Sequence, residues 1–468
     1  MRVRALFLSL LGVLLFALPI LSQDRYGQWM DAQPLLIMPS GDNGTYPQAV
    51  TGPSGHTHLV FFGRPEDDRS GTISLYYTRW NVDRWLPNQD VLINPDDGSV
   101  PEMVAAVEDN AGYLHVLWSG SRLWHSQALI AEAGDYRGWT KPVGVFDQAR
   151  VNYVDAKIDS ADRLHMALTT SARDVFYVAM DPDGTVETPF LIRSVQTFFP
   201  YYVSLALTRS GNLMTCWVEV NGAGDGRSRG VYCAGTRDGG LTWSAPEEVA
   251  SGHYWGGITY FTETNMLARI IGGGNGVGGR SIQFSEDDGL TWLPPVDLTQ
   301  GVDMQGLNNH MAAMDSTQSI HVLVNPGNAQ HVQSVYAQGS WLPNRQTGWQ
   351  GWDWIDFEVA NGNTLIAAWW RDNTIFASWA SVDAPYLAPQ PLEAVAASAA
   401  LMLPTPTIVA SATEPSPTPV PVAPQPIQLA PSAANRPFSQ ATVLILSIGP
   451  ALLLVIGVAI LRVARLRR

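Results

Sequence analysis

Lysine is almost missing from this chain: Lys141 and Lys157 are the only two in 468 residues. Basic charge is scarce altogether, with 28 Lys and Arg against 42 Asp and Glu and a net charge of −14. Six arginines (Arg2, Arg4, Arg462, Arg465, Arg467 and Arg468) sit at the two ends, which leaves −20 for residues 23–461. A surface of that sign excludes nucleic acid as a partner, because such binding depends on clustered Lys and Arg neutralising phosphates. Cysteine is scarce too, with Cys216 and Cys233 alone, so no more than one internal disulfide can form. Sustained helical periodicity is lacking before residue 383, which argues against a helix-built body.

Long apolar runs are confined to the ends. Ala5 to Leu21 follows Met-Arg-Val-Arg and stops at the small Ser22, the layout of a secretory signal over 1–22, with an uncleaved anchor as the alternative. Ala441 to Leu461 carries no charge, is long enough to cross a bilayer, and runs into four arginines. The expectation is a single-pass cell-membrane protein with a span at 441–462, a basic cytoplasmic tail at 463–468 and the body outside. Residues 383–440 turn to Pro, Ala, Ser and Thr, a composition that reads as a stalk; at about 3.1 Å per residue in extended form it reaches on the order of 100 Å or more. The folded body is left with residues 23–382.

Within that body the chain repeats itself. TRDGGLTW (236–243) and SEDDGLTW (285–292) share the pattern S/T-x-D-x-G-x-T-W, 49 residues apart. Thr236 and Ser285 offer hydroxyls, and Asp238 and Asp287 offer carboxylates, that can close a turn on nearby amides. Gly240 and Gly289 permit positive φ, while Thr242 with Trp243 and Thr291 with Trp292 start a strand whose indole fills space between sheets. These octets resemble the Asp boxes, or BNR repeats, of the sialidase-like β-propellers, a resemblance that implies blades of four antiparallel strands around an axis.

Weaker copies extend the period: SGHTHLVFF, AGYLHVLW, ADRLHMAL, SGNLMTCW, TNMLARII, QSIHVLV and NGNTLIAAW recur at intervals of roughly 50 residues. Trp85, Trp139, Trp243, Trp292 and Trp341 each open the last strand of a unit. The seventh unit runs out of chain before its last strand, and Trp29 with QPLLI (33–37) supplies it from the N-terminus. The reading is all-β with seven blades; six is the alternative, since catalytic sialidases use six. Cys216 and Cys233 fall on neighbouring strands of one hairpin, as a disulfide or as two buried thiols.

Four histidines, His58, His115, His165 and His321, share one place in the repeat. Equivalent positions on different blades point to separate places, so they suit structural roles better than one metal site, and no metal or cofactor is expected. In propellers, ligands collect where innermost strands begin and where second strands hand over to third. The first class here holds Tyr46, Arg150, Asn152, Tyr153, Phe199, Tyr201, Tyr202, His253, Tyr254, Trp255, Asn308, Asn309, His310, Trp352, Asp353 and Trp354. The second holds Arg64, Arg69, Arg122, Arg173, Arg227, Arg229, Arg280 and Arg371. Flat rings with polar tips suit sugars, and guanidinium groups suit acidic ones.

For an enzyme, the resemblance implies an arginine triad, an Asp acid/base and a Tyr nucleophile activated by Glu. FFGRPEDDRSGTISLYYTR (61–79) resembles the family segment carrying an Arg followed by the acid, giving those roles to Arg64 and to Asp67 or Asp68. The preceding Phe/Tyr-Arg-Ile-Pro motif is replaced by YPQAV (46–50), with no arginine. No tyrosine stands where the nucleophile is wanted, and Glu219 is the candidate activating carboxylate. The leading expectation is a glycan- or partner-binding propeller, followed by an exo-acting glycoside hydrolase of sialidase type and by an envelope scaffold.

Overall fold

A computed structural model of the chain describes residues 25–402, apart from 41–43, 97–100, 102, 222–227, 275–278, 299–309, 325–329 and 351–354. Seven antiparallel sheets follow one another along the chain. Their first strands are Gln48–Thr51, Val104–Glu108, Val151–Ile158, Phe198–Leu207, His253–Phe261, His310–Met314 and Ile355–Ala360, which open blades 1 to 7. Contacts between successive first strands, including the last with the first, place these strands around a common axis. Seven blades, not six, close the ring.

Blade 7 is completed by the N-terminus. Thr374–Ser381 pairs with Gln33–Ile37 and with Gln28–Trp29, the three-plus-one closure expected from QPLLI. In blades 1, 6 and 7 a two-residue piece precedes the main outer strand and carries Trp85, Trp341 or Trp29, so the corner indoles open the outer strands. Cys216 and Cys233 face one another in register and form a disulfide.

A first strand leaves one row of amides without a strand partner, and several are taken by side chains of the preceding blade. Asp155 Oδ2 accepts Leu205 N–H at 2.7 Å, and Ser204 Oγ accepts Ile258 N–H at 3.0 Å. At the closing seam Asp356 accepts from Ala49 N–H and, at 2.9 Å, from Gln48 Nε2.

A second device explains the repeated histidines. Asp109, Asp159 and Asp315 each lie in the turn six residues before a histidine. Their Oδ2 atoms meet Nε2 of His115, His165 and His321 at 3.2, 3.2 and 3.0 Å. Each Asp Oδ1 closes the turn by accepting backbone amides, as Asp159 does from Ala161 and Arg163. The opposite ring nitrogen meets a third-strand side chain: His125, Tyr177 or Gln333. Blade 1 has Gly52 where the aspartate belongs. Glu108 of blade 2 enters instead, pairing with His58 at 3.3 Å and accepting Ser54 N–H at 3.1 Å, while Tyr77 takes the other ring nitrogen at 2.9 Å. Burial drives the whole arrangement, since an unpartnered buried imidazole nitrogen is costly.

The folded body continues past residue 382, where composition suggests that a stalk begins. Residues 383–391 cross the turns between first and second strands of blades 6, 7 and 1, with Ser316 Oγ on Pro385 O at 2.6 Å, Leu387 N on Asn361 O at 2.8 Å and Gln390 N on Ser54 O at 2.8 Å. The helix α1, Leu392–Met402, then buries Val395 against blade 2 beside Gly112. An Ala-rich run favours helix whatever the prolines around it. No helix among the described residues is long and apolar enough to cross a membrane. The signal at 1–22, the stalk beyond 402, the span at 441–462 and the tail at 463–468 lie outside the described residues.

Candidate functional site at the mouth of blades 3 and 4

Two first strands carry irregular register at their mouths. Blade 3 shifts between Val151 and Tyr153, and blade 4 between Tyr201 and Ser204. Along a regular strand, successive side chains point to opposite faces. Here the irregularity in blade 4, with Tyr202 at φ 52°, lets both Tyr201 and Tyr202 turn toward the same neighbour. Their rings lie 5.3 and 5.0 Å from Tyr153, and 5.7 Å from each other. Tyr153 is the buried base of this trio, while Tyr201 and Tyr202 stay half-buried.

Arginines of blades 3 and 4 lie over other rings of blade 4. Glu219, fully buried on the second strand of blade 4 (Leu213–Asn221), receives Arg193 Nε at 3.1 Å from blade 3 and Arg229 Nη1 at 3.2 Å from its own blade. Removing a carboxylate from water requires this pairing. Arg229 also lies over Phe198 and Tyr232, at 5.7 and 5.4 Å. Arg173, at φ 72°, stands over Phe199 at 4.5 Å and donates to Gln196 O. Arginines from two blades thus converge, but on an internal carboxylate. Glu219 is a salt-bridge centre, which removes it from the role of activating a tyrosine that the family resemblance suggests.

The other expected residues fall in varied places. Arg64, Asp67 and Asp68 occupy the turn after Thr57–Gly63, and Asp68 accepts Ser70 N–H and Oγ–H, each at 2.8 Å. Those bonds hold the Asp68 carboxyl below the usual carboxylate range, whereas a general acid needs a raised value. Arg280 is buried, contrary to its expected place on the rim, and desolvation lowers it to about 10. Arg371 turns to Asp372 at 3.6 Å, and Arg150 is exposed just before the blade 3 strand. Tyr254 and Trp255 stand on the first strand of blade 5, and His310 opens that of blade 6. Asn309, Trp352, Asp353 and Trp354 lie outside the described residues.

The two octets lie at the opposite end of the blades, in turns between third and fourth strands. Asp238 Oδ1 accepts Thr242 N–H at 2.9 Å and Thr236 Oγ1–H at 2.7 Å; Asp287 repeats this with Thr291 at 2.8 Å and Ser285 at 2.8 Å. Gly240 and Gly289 have φ of 98° and 82°. Hydrogen bonds to threonine hydroxyl and amide hold both aspartates at about 2. These octets are turn-closing devices. Among the described residues no group of three His, Cys, Asp or Glu is arranged for a metal.

Sequence reasoning misses two axial acids. Asp356 is buried on the first strand of blade 7, and desolvation raises it to about 8; Glu358, two residues on, is raised to about 7 chiefly by desolvation. Their alternation on an inner strand is the available signal. Arg193 gives none, since it sits on an outer strand (Phe190–Ser194) and only the packing of blades brings it to Glu219.

Comparison by sequence finds no matching family profile and no matching characterised protein. By structure, the chain resembles the BP39L lectin from Burkholderia pseudomallei, with a TM-score of 0.55 and 10% identity over 78% of this chain and 99% of that one. It also resembles an ulvan lyase solved with a GlcA(1-4)Rha3S repeat, with a TM-score of 0.51 and 12% identity over 78% of this chain and 98% of that one. A Hadza microbial sialidase aligns at a TM-score of 0.40 and 14% identity over 72% of this chain and 65% of that one, too distant to carry an argument. What the likeness to the lectin and the lyase shows is the fold alone: the chain is a seven-bladed, all-β propeller.

Proposed function

We propose that this protein is a glycan-binding propeller, displayed outside the cell by its C-terminal stalk and span, with the binding site at the mouth of blades 3 and 4. The irregular first strands carry the reading. They gather Tyr153, Tyr201 and Tyr202 into one aromatic wall, and the same end of blades 3 and 4 carries Arg173 and the Arg193–Glu219–Arg229 cluster. Register shifts of this kind re-aim side chains, and a wall of rings with hydroxyl tips offers CH stacking and directed hydrogen bonds to a sugar. The rim guanidinium groups add donors suited to acidic sugars. The two octets support assignment to the Asp-box propellers, and the lectin and lyase of like fold support a carbohydrate ligand.

The hydrolytic alternative is weaker on this chemistry, because Ser70 holds the Asp68 carboxyl below its usual range and Glu219 is spent on two arginines, which leaves Asp67 as the acid to test. A glycan array probed with the full-length protein, the Tyr201→Ala variant and the Arg173→Ala variant tests the proposal. Binding to a defined set of glycans, weakened at least tenfold in both variants, is expected. Binding that is absent, or indifferent to both changes, refutes it. Turnover of a fluorogenic sialoside, lost in an Asp67→Asn, Asp68→Asn double variant, would favour the hydrolase instead.

A further inference from the structure

The last strand of the ring and the segment that follows it are held in different ways. Thr374–Ser381, the third strand of blade 7, pairs along its whole length with Thr364–Arg371 on one edge, and on the other with Gln33–Ile37 and Gln28–Trp29. Ser378 Oγ–H donates to Met30 O at 2.6 Å, and Met30 N–H to Trp379 O at 2.8 Å. Both edges of this strand are therefore taken. Residues 383–402, by contrast, lie on the outside of turns and meet one blade at a time.

Their contacts follow chain order. Pro385 O accepts Ser316 Oγ–H at 2.6 Å in blade 6; in blade 7, Leu387 gives N–H to Asn361 O at 2.8 Å and its carbonyl accepts Asn361 Nδ2–H at 3.3 Å. Gln390 gives N–H to Ser54 O at 2.8 Å in blade 1, and its carbonyl meets His56 Nε2 at 2.9 Å. In α1, Val395 and Ala399 are buried one turn apart, with Val395 packed on blade 2. Leu387, Pro389 and Val395 each press on a turn glycine, Gly362, Gly55 and Gly112, where an added Cβ would crowd them. Gly211, in the corresponding turn of blade 4, has nothing within 4 Å. The segment is thus a row of single attachments laid across the seam where blade 7 meets blade 1.

We propose that residues 383–402 are a mechanical release segment: tension arriving through the C-terminus peels α1 and the strap from blades 2, 1, 7 and 6 in turn, lengthening the connection while the ring stays shut. Attachments broken one after another each meet the whole pull alone, whereas a strand bonded along both edges spreads it over many hydrogen bonds. The chain itself sets the order, helix first and Pro385 last, so the final strand of blade 7 is strained only when the strap is spent. At about 3.3–3.6 Å per extended residue, the 20 residues 383–402 provide up to about 70 Å of reach. The use of that reach rests on the C-terminal tether of the proposed function, while the peeling rests only on these contacts.

Single-molecule force spectroscopy on the full-length protein in detergent tests this, with one handle on the C-terminus and the other on the thiol of an Arg237→Cys variant. Arg237 is exposed on blade 4, away from the strap, and both native cysteines are held in the disulfide. A short rupture adding no more than about 70 Å is expected, at lower force, before the ring event, which for residues 237–382 releases on the order of 500 Å. Adding Leu387→Asp and Val395→Asp should abolish the short rupture and leave the force of the ring event unchanged. A parent protein with no short rupture, or a short rupture that persists in the strap variant, overturns the proposal. A ring event weakened by the strap variant also overturns it, by making the strap part of ring closure. Should the strap variant fail to fold, amide exchange on the parent protein decides: Leu387 and Gln390 N–H are expected to exchange at least a hundredfold faster than the amides of Thr374–Ser381, and equal rates overturn it. None of these readouts involves a glycan, so failure here and failure of the glycan array are told apart.

Discussion

Glu108 substitutes for an aspartate that blade 1 lacks, and the exchange can be reversed. Its carboxylate is buried against His58 and Ser54 N–H, whose blade 3 counterparts His165 and Ala161 N–H both meet Asp159. Glu108→Gly removes the carboxylate that faces the buried His58 imidazole and strands the Ser54 amide, and with the lost packing the variant should lose about 3–5 kcal/mol. Gly52→Asp alone should also destabilise, by about 1–3 kcal/mol, because the Glu108 side chain fills the space a Cβ would take. Combining Gly52→Asp with Glu108→Gly also removes the Glu108 Cβ, which an added Cβ at residue 52 would meet at 2.3 Å, so this double variant regains the arrangement of blades 2, 3 and 6 and should be more stable than Glu108→Gly by about 2 kcal/mol, a coupling opposite in sign to either single effect. Urea unfolding followed by tryptophan fluorescence on all four proteins measures this. Losses that simply add would show that the relay of turn carboxylate and histidine does not hold the seam.

Three further outcomes are expected. Asp356 keeps its proton in the folded protein up to about 8, whereas an unfolded aspartate loses it near 4, so this group makes stability fall as pH rises through that window. Asp356→Asn, isosteric with the neutral acid, should flatten that slope in unfolding curves taken from pH 5 to 8, and an unchanged slope would assign it to other groups. Reducing the cystine at Cys216 and Cys233, or replacing both residues with serine, should cost about 3 kcal/mol by freeing a 17-residue separation, read as a lower unfolding midpoint and, for the parent protein, as a two-dalton change in intact mass. Val395→Ala should cost about 1.5 kcal/mol if α1 docks on blade 2, and an unchanged midpoint would leave the helix undocked.

Much of the architecture is legible in the chain because each blade restates it locally. Alternating strands, polar turns and corner indoles recur about every 50 residues, so the blade count, the closure through QPLLI and the facing cysteines follow from counting. The site is less legible. Tyr153, Tyr201 and Tyr202 are readable as mouth residues, but the register shifts that bring them together leave no mark, since a one-residue irregularity does not alter composition. Arg280 and Glu219 are misplaced by position alone: neither burial nor a partner two strands away is encoded in the spacing of the repeat. The run LEAVAASAALM is hidden in a Pro-rich stretch, and its docking depends on Gly112 leaving room for Val395.

That this protein is a ring of repeated four-stranded sheets can be read from its residues, because turns and alternation act over a few residues and reappear at each repeat. Which side chains meet across the seams is settled in three dimensions: Glu108 with His58, Arg193 with Glu219, and Asp356 with Gln48. Those contacts join different blades, and their chemistry depends on burial and volume, which exist only once the ring has closed.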